Sequence, residues 1–523
     1  MTNPFLDPNY YFDKSLLPST KTSLINWYYQ SNITDYNHLL TTKPESYWLK
    51  RGQLKALHLF HQAAEHIPAY QDFLKKHHVK PNTIRTYQNF QNLPTTDKPN
   101  YITQYPLEAL CWHGQLSQSN IVSYSSGSTG SPYLWPRSTY QDIEGAFQFE
   151  HLLTSLFGID KKSTLFINCF SMGNYVAGVY VYTSTKLLSQ KGYPLTTVSP
   201  GINYQDALNM LTKLADKYDQ VILAGYPPFI RDLIEIGIDS GTNFKRLNLK
   251  FFFASEFFSE TWRDHTLELT NNHSPLTDST NIYGTADSAI FSFETPTTIV
   301  ITKLADDHPQ LNQNLFHSDL SPTLTQFNPL LTFYESINRE LTLTANTGVP
   351  LIRYNLKDEG DILPISTVNR IFDQHGFNLT STLQQHHLDT SSTQLPMVYL
   401  TNRTDGAVSF YAIKIFPEYV RGGLEIDTLK HQLSGKFTLI SGHTNNHRPE
   451  LTVHVELTRN AQPSASLKHQ VLNSVQQSLR NRCSEYNFLE QSIGKRATPK
   501  IVLHLKNHSQ YFKVGIKQKW IIN

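Results

Sequence analysis

Three largely apolar runs, LFINCF (165–170), QVILAGY (220–226) and LKFFFASE (249–256), follow Ser163, with helical stretches such as Tyr204–Tyr218 between them. A strand with one wet face alternates apolar and polar residues; a continuous apolar run suits a strand covered on both faces. Such runs separated by helices predict layered α/β structure around a large mixed sheet.

Upstream, Leu54, Leu57, Phe60, Ala64 and Ile67 recur at helical steps and predict one buried helical face. Asn82 to Leu110 mixes Pro, Thr and Asn with short helical pieces and leads to a Ser/Gly-rich loop at Tyr124. Downstream the texture changes. Leu451, Val453, Val455 and Leu457 alternate with polar residues, as do Ile501, Leu503 and Leu505, which predicts half-buried strands. Between them Leu467, Val471, Val475 and Leu479 step by four, giving a β-α-β pattern for a small α+β unit. The boundary is expected near Asn402, dividing the chain into 1–402 and 403–523, with the polar stretch Thr380–Thr393 as an exposed loop.

Composition bounds the function. A chain of 523 residues exceeds what one core supports, and 39% hydrophobic content with 28 Tyr and 29 Phe indicates a folded globular protein. Its 45 basic and 43 acidic residues, net +2 and without long runs of one sign, point to neither nucleic acid nor a membrane surface. The opening MTNPFLDPNYYFDKS lacks a signal-peptide pattern, and no stretch approaches the roughly 20 apolar residues of a membrane span, so a cytoplasmic protein is expected. Cys111, Cys169 and Cys483 are far apart and outside any CxxC, which predicts buried reduced thiols. His386-His387 and His443/His447 have no carboxylate or cysteine at ligand spacing and are read as surface residues.

Common signatures are missing: the chain has no GxxxxGK[ST], GxGxxG, HExxH or GxSxG. Four polar clusters carry the chemistry instead. In YSSGSTGSP (124–132) two glycines allow a sharp turn, and up to five hydroxyls beside backbone N–H groups can cradle an anion, although a flexible connection has the same composition. NIYGTAD (281–287) ends in a carboxylate suited to a divalent metal beside a nucleotide, or in an ordinary turn. LIRYNLKDEGD (351–361) runs an apolar strand into aspartates flanking a glycine. A carboxylate there can take two hydrogen bonds from vicinal ribose hydroxyls, or mark a solvated turn. NRTD (402–405) precedes the C-terminal unit.

The order and spacing of these clusters resemble the acyl-adenylate-forming enzymes, and within them the phenylacetate–CoA ligase and coenzyme F390 synthetase branch. That family carries a loop like SSGTTGKP, then YGxxE, IRYxxxD and GRxDD, and a Phe-Pro beyond. The counterparts here are YSSGSTGSP, YGTAD, IRYNLKD and NRTDG, with Phe416-Pro417 at the family's spacing from Arg403. HIPAYQ (66–71) and NLPTTDK (92–98) look like the branch's VPFYR and FPxTxK phrases, so the resemblance runs from about residue 50 to about residue 420.

The resemblance implies a large multi-layer adenylation domain with mixed sheets and a small mobile α+β C-terminal domain. It implies that Ser125, Ser126, Gly127, Ser128, Thr129 and Gly130 hold the ATP phosphates, that Tyr283 beside Gly284 stacks on adenine, that Thr285 or a backbone group lies near the α-phosphate and that Asp287 holds Mg²⁺. Asp358 would bind the ribose, with Asp361 competing; Arg403 would reach ribose or phosphate; Asp405 would be the hinge; and Lys517 would be the final catalytic lysine, with Lys519 and Lys513 as rivals. The implied activity converts a carboxylic acid and ATP to an acyl-adenylate and pyrophosphate, then transfers the acyl group to CoA. An aromatic or other apolar acid is expected to lie between Phe170–Tyr182 and Phe251–Phe258.

Three departures qualify this. Ser131 replaces the loop's usual lysine, Ala286-Asp287 replaces the family's Thr/Ser-Glu, and Ala412 replaces a glycine where the pantetheine arm passes. They leave open transfer to a carrier protein or an amine, transfer of AMP itself, and a non-catalytic nucleotide-binding homologue; an unrelated structural α/β protein is disfavoured by the ordered spacing.

Overall fold

A computed structural model of the chain describes residues 21–125, 133–255, 258–318, 322–388, 394–403, 407–426, 428–429, 431–444, 447–458, 460–506, 508, 510–512 and 521. Strands β1 (Ile121–Ser125) and β2 (Tyr133–Arg137) pair antiparallel. The main sheet has eleven strands: β3 (Thr164–Asn168), β4 (Leu195–Val198), β5 (Gln220–Gly225), β6 (Leu249–Ala254), β7 (Ser279–Thr285), β8 (Ala289–Phe293), β9 (Thr323–Gln326), β10 (Thr332–Ile337), β11 (Glu340–Ala345), β12 (Leu351–Leu363) and β13 (Met397–Arg403). Their spatial order is β10-β11-β12-β13-β9-β8-β7-β6-β5-β3-β4. The half from β4 to β7 is parallel, and β7 to β10 are joined by antiparallel pairings.

The three apolar runs are β3, β5 and β6, and β3 and β5 are buried along their whole length. Successive side chains point to opposite faces of a sheet, so each run feeds two cores. Leu165, Ile167, Val221, Leu223, Phe251 and Phe253 join one with helices Tyr204–Leu214 and Pro227–Asp239. Phe166, Ile222, Ala224 and Phe252 join another with helices Thr139–Leu152 and Val176–Lys191. The antiparallel half packs on helix Glu45–His66 in a third core. That helix buries Leu57 and Phe60 as its periodicity predicts, but Leu54 is 40% exposed and Lys55 and His58 are buried instead.

Beyond β13 the chain forms a pair, β14 (Val408–Phe410) with β15 (Ile413–Ile415), and a sheet of β16 (Leu433–His443), β17 (Pro449–Leu457) and β18 (Lys500–His504). Strands β17 and β18 are parallel, with helices Ala465–Arg482 and Ser484–Ile493 between them in sequence, and Leu467, Val471, Val475 and Leu479 are buried as their spacing predicts. The half-buried reading of β17 needs correcting. Its polar positions Thr452, His454 and Glu456 are buried too, Glu456 accepting from Ser434 Oγ at 2.6 Å, and Leu505 lies past the end of β18, 51% exposed. Within Thr380–Thr393, the expected loop begins as part of a helix, Leu379–Gln385, capped by Asn378 and seated on buried Leu379 and Leu383; residues 389–393 lie outside the described residues.

All three cysteines are buried and unlinked, and burial pushes the Cys111 thiol up to about 11 and Cys483 up to about 12. Among the described residues no helix is long and apolar enough to cross a membrane.

Candidate active site

A cavity of about 590 Å³ opens at the carboxyl ends of the parallel strands. Ligands in open α/β sheets bind in this crevice, where neighbouring connections leave in opposite directions. Phe170 follows β3, Tyr226 follows β5, Ala254 and Ser255 close β6, and Tyr283 to Asp287 close β7; all line the cavity.

One wall is apolar. Phe170, Tyr175, Tyr180 and Val181 from the first expected segment and Phe252 from the second line it together with Tyr226, while Phe251 and Phe253 point into the opposite core. Behind Tyr180 lies Arg137, 2% exposed and 5.3 Å from the ring centroid, whose guanidinium nitrogens have no hydrogen-bond partner among the described residues. The cation therefore polarises this wall through the tyrosine ring.

The opposite wall is charged. Tyr283 Oη donates to Asp358 Oδ2 at 2.6 Å, and Tyr354 Oη donates to Asp287 Oδ2 at 2.7 Å. The end of β7 and the middle of β12 thus exchange phenol–carboxylate bonds, and burial together with the Asp287 charge holds the Tyr354 phenol well above its usual range. The Tyr283 ring stacks near Tyr334, centroids 6.3 Å apart at 22°. Lys98 Nζ lies 3.2 Å from Asp287 Oδ1 and sits over Tyr133 and Trp135. Its segment runs along β12, with Asn355 N donating to Thr96 O at 2.8 Å and Arg353 Nη1 donating to Leu93 O.

A bulge aims Asp358. Thr342 opposes Asn355 but Glu340 opposes Glu359, so β12 carries extra residues over this span, with Lys357 at φ 60°. Asp361 on the same strand does not line the cavity, and its Oδ1 accepts from Ile362 N at 2.7 Å. Between them Gly360 approaches Tyr399 so closely that an added Cβ would meet its carbonyl oxygen at 1.9 Å. Gly284 and Thr285 line the cavity, and the Thr285 hydroxyl is buried without a hydrogen-bond partner among the described residues.

The hydroxyl-rich loop is framed rather than seen. Ser126, Gly127, Ser128, Thr129, Gly130, Ser131 and Pro132 lie outside the described residues, and Ser125 is described only as the last residue of β1. Both flanks reach the cavity through Tyr124 and Tyr133, and Tyr124 N donates to Asn174 O at 2.8 Å. Arg403 ends β13 opposite Asp358 in register, its side chain outside the description, as are Asp405, Lys513, Lys517 and Lys519.

Sequence reasoning missed several groups. Lys98 stands in the NLPTTDK phrase, which by itself gives the lysine no role. Lys357, 3.5 Å from Asp97 and 3.7 Å from Glu340, and Lys414 on β15 also line the cavity. The C-terminal unit contributes Ala407, Val408, Ser409, Ala412, Phe416 and Glu485 as well. Ala412 has φ 63°, a left-handed conformation that glycine adopts at no steric cost.

No protein-family model and no curated protein matches the sequence. Solved structures do. A 2-hydroxyisobutyryl-CoA ligase in complex with 2-HIB-AMP and CoA in the thioesterification state superposes with TM-score 0.65 at 13% identity, covering 93% of this chain and 91% of that one. The same ligase in an open conformation gives 0.53 at 13% identity over 92% and 93% of the two chains. In the postadenylation state it gives 0.53 at 12% identity over 93% and 91%. At these identities the likeness concerns the fold: this chain has the fold of that ligase across nearly its whole length.

Proposed function

We propose that this protein activates a carboxylic acid with ATP, forming an acyl-adenylate and pyrophosphate, and then transfers the acyl group to CoA. The observation that carries this reading is one cavity with an aromatic wall and a polar wall that brings together Asp287, Asp358, a buried Thr285 hydroxyl and three lysines. Its fold is that of a ligase solved with an acyl-AMP and CoA, and its motifs resemble the phenylacetate–CoA ligase branch. The reading implies a cytoplasmic enzyme of two domains, 1–402 and 403–523.

The acyl group packs against Phe170, Tyr180 and Phe252, so the acid is apolar and probed best with aromatic members. Adenine lies on Tyr283 beside Gly284, and Asp358 accepts hydrogen bonds from the ribose hydroxyls. The hydroxyls and amides of 125–130 receive the phosphates, with Thr285 at the α-phosphate and Lys98, Lys357 and Lys414 adding charge. Such reactions need positioning and charge neutralisation more than covalent help.

Mg²⁺ fits this site as a phosphate-borne ion with one protein carboxylate, the usual arrangement for magnesium. Asp287 would hold it by exchanging Lys98, its present partner at 3.2 Å, and the ion would neutralise phosphate charge. Arg403 and Lys517 act on the phosphate and the attacking carboxylate, with Asp405 as the hinge.

Ala412 favours a second reading, in which adenylation is followed by transfer to a carrier protein or an amine, because its methyl group occupies the cavity wall where a thiol arm would pass. Pyrophosphate release across a panel of carboxylic acids, with and without CoA, tests both. Acid-dependent release with thioester formation is expected; release without thioester selects the second reading, and no acid-dependent release refutes the enzyme.

A further inference from the structure

The charged contacts between the C-terminal unit and the main sheet's helices converge on a carboxylate outside the cavity. Asp232, in helix Pro227–Asp239, is 1% exposed. Its Oδ2 accepts from Tyr204 Oη at 3.1 Å and Tyr411 Oη at 3.3 Å and lies 2.8 Å from Arg496 Nη1, while Arg448 Nε is 3.7 Å from Oδ1. One turn further along the helix, Glu235 holds Arg448 Nη2 at 2.6 Å and Arg231 Nε at 3.1 Å. Tyr411, Arg448 and Arg496 all follow β13 in the chain.

We propose that Asp232 is a positioning residue for acyl transfer: through Tyr411, Arg448 and Arg496 it holds the C-terminal unit where Ala412 and Lys414 form part of the cavity wall. This rests on the adenylation-and-transfer reading above. Tyr411 is the direct link. It and Ala412 are consecutive left-handed residues, φ 49° and 63°, so the hydroxyl that bonds Asp232 and the methyl that lines the cavity are set by one stretch of backbone. Moving the C-terminal unit away would leave the carboxylate with Tyr204 alone of these four partners. A buried charge stripped of its counter-charges is costly, so the contact behaves as a detent that is either made or broken. Glu235 fixes Arg448 from the same helix and adds to that all-or-none character. The agreement of this structure with the thioesterification form of the ligase, TM-score 0.65 against 0.53 for its open and postadenylation forms, supports assigning the contact to the transfer step.

Asp232→Asn keeps the size and hydrogen-bonding shape while removing the charge. The expected result is an adenylation rate, read as pyrophosphate release, within about twofold of the unchanged enzyme, and transfer from a supplied acyl-adenylate about tenfold slower, within the usual range of coupling between two sites. Hydrogen exchange should rise at 411–412 and 494–497. Arg496→Gln tests the contact from the other side without touching helix Pro227–Asp239, and the double variant should lose no more than either single one. Equal losses in both half-reactions, additive losses in the double variant, or unchanged exchange would overturn the proposal. If the unchanged enzyme releases no pyrophosphate with any acid, the functional reading falls, and with it the role in transfer; the exchange data then separately decide whether the contact holds the unit.

Discussion

The segments Tyr283–Asp287 and Tyr354–Asp358 have the same spacing, and each tyrosine bonds the other's aspartate, yet their carboxylates end in different surroundings. Asp358 is 1% exposed and held by a phenol at 2.6 Å, aimed by a bulge in β12. Asp287 is 8% exposed, follows the end of β7 and has an ammonium at 3.2 Å. The exchange of phenols fixes both carboxylates in one rigid frame, since neither strand can shift without breaking both bonds. Their charge environments differ: Asp358 is held by a neutral phenol and Asp287 by a phenol and an ammonium, which suits the ribose and cation roles proposed for them.

The largest effect that would break this division is at Asp358. Asp358→Ala should weaken ATP binding by about 3 kcal/mol, on the order of 100-fold, because hydrogen bonds to a charged group contribute roughly 1.5–3 kcal/mol each. Asp361→Ala should change it by less than about threefold, as that carboxylate lies off the cavity and bonds its own neighbour. Calorimetric titration with ATP decides; the reverse order of losses would mean that the ribose contact is misassigned.

A smaller effect is expected at Asp287. Lys98→Met removes the ammonium and leaves a nearly buried carboxylate with, among the described residues, its tyrosine alone to hold it. Complete burial would make this cost several kcal/mol, but Lys98 is 25% exposed, so a loss of about 1–2 kcal/mol in denaturant unfolding is expected. Adding Asp287→Asn should restore most of it, because no uncompensated charge remains. If the double variant is as unstable as Lys98→Met, the lysine stabilises through its packing on Tyr133 and Trp135 and the charge argument fails.

The difference between the two segments also marks what the sequence could convey. The apolar runs specified β3, β5 and β6 because burial on both faces leaves a mark in every residue, and the motif order brought Tyr283, Thr285, Asp287 and Asp358 to one cavity. What stayed hidden depends on distant pairing. Lys98 meets Asp287 only because its segment lies along β12, and a lone lysine after Thr-Thr-Asp carries no local sign of that. Spacing from Tyr354 favours Asp358 over Asp361 in the sequence, but the bulge and the approach of Gly360 to Tyr399 that separate the two carboxylates leave no periodicity to read. The polar positions of β17 look solvated from alternation alone, because alternation reports composition, whereas Ser434 bonds Glu456 and Tyr511 stacks on His454.

The smallest expected change is at Ala412, where the C-terminal unit meets both walls. An alanine held at φ 63° is strained by about 1 kcal/mol, and a glycine would relieve that strain but give the unfolded chain more freedom, by about 0.4–1 kcal/mol. These terms nearly cancel, so Ala412→Gly should leave unfolding free energy within about 1 kcal/mol of the original. Its effect should appear in the chemistry: removing a methyl group from the cavity wall widens the approach for a slender thiol and leaves the nucleotide frame of Tyr283, Asp287, Tyr354 and Asp358 untouched. Thioester formation from a supplied adenylate should then rise a few-fold with CoA while pyrophosphate release stays constant. A rise in both rates would mean that Ala412 limits the motion of the whole C-terminal unit, and no rise with CoA would mean that the acceptor does not pass this residue.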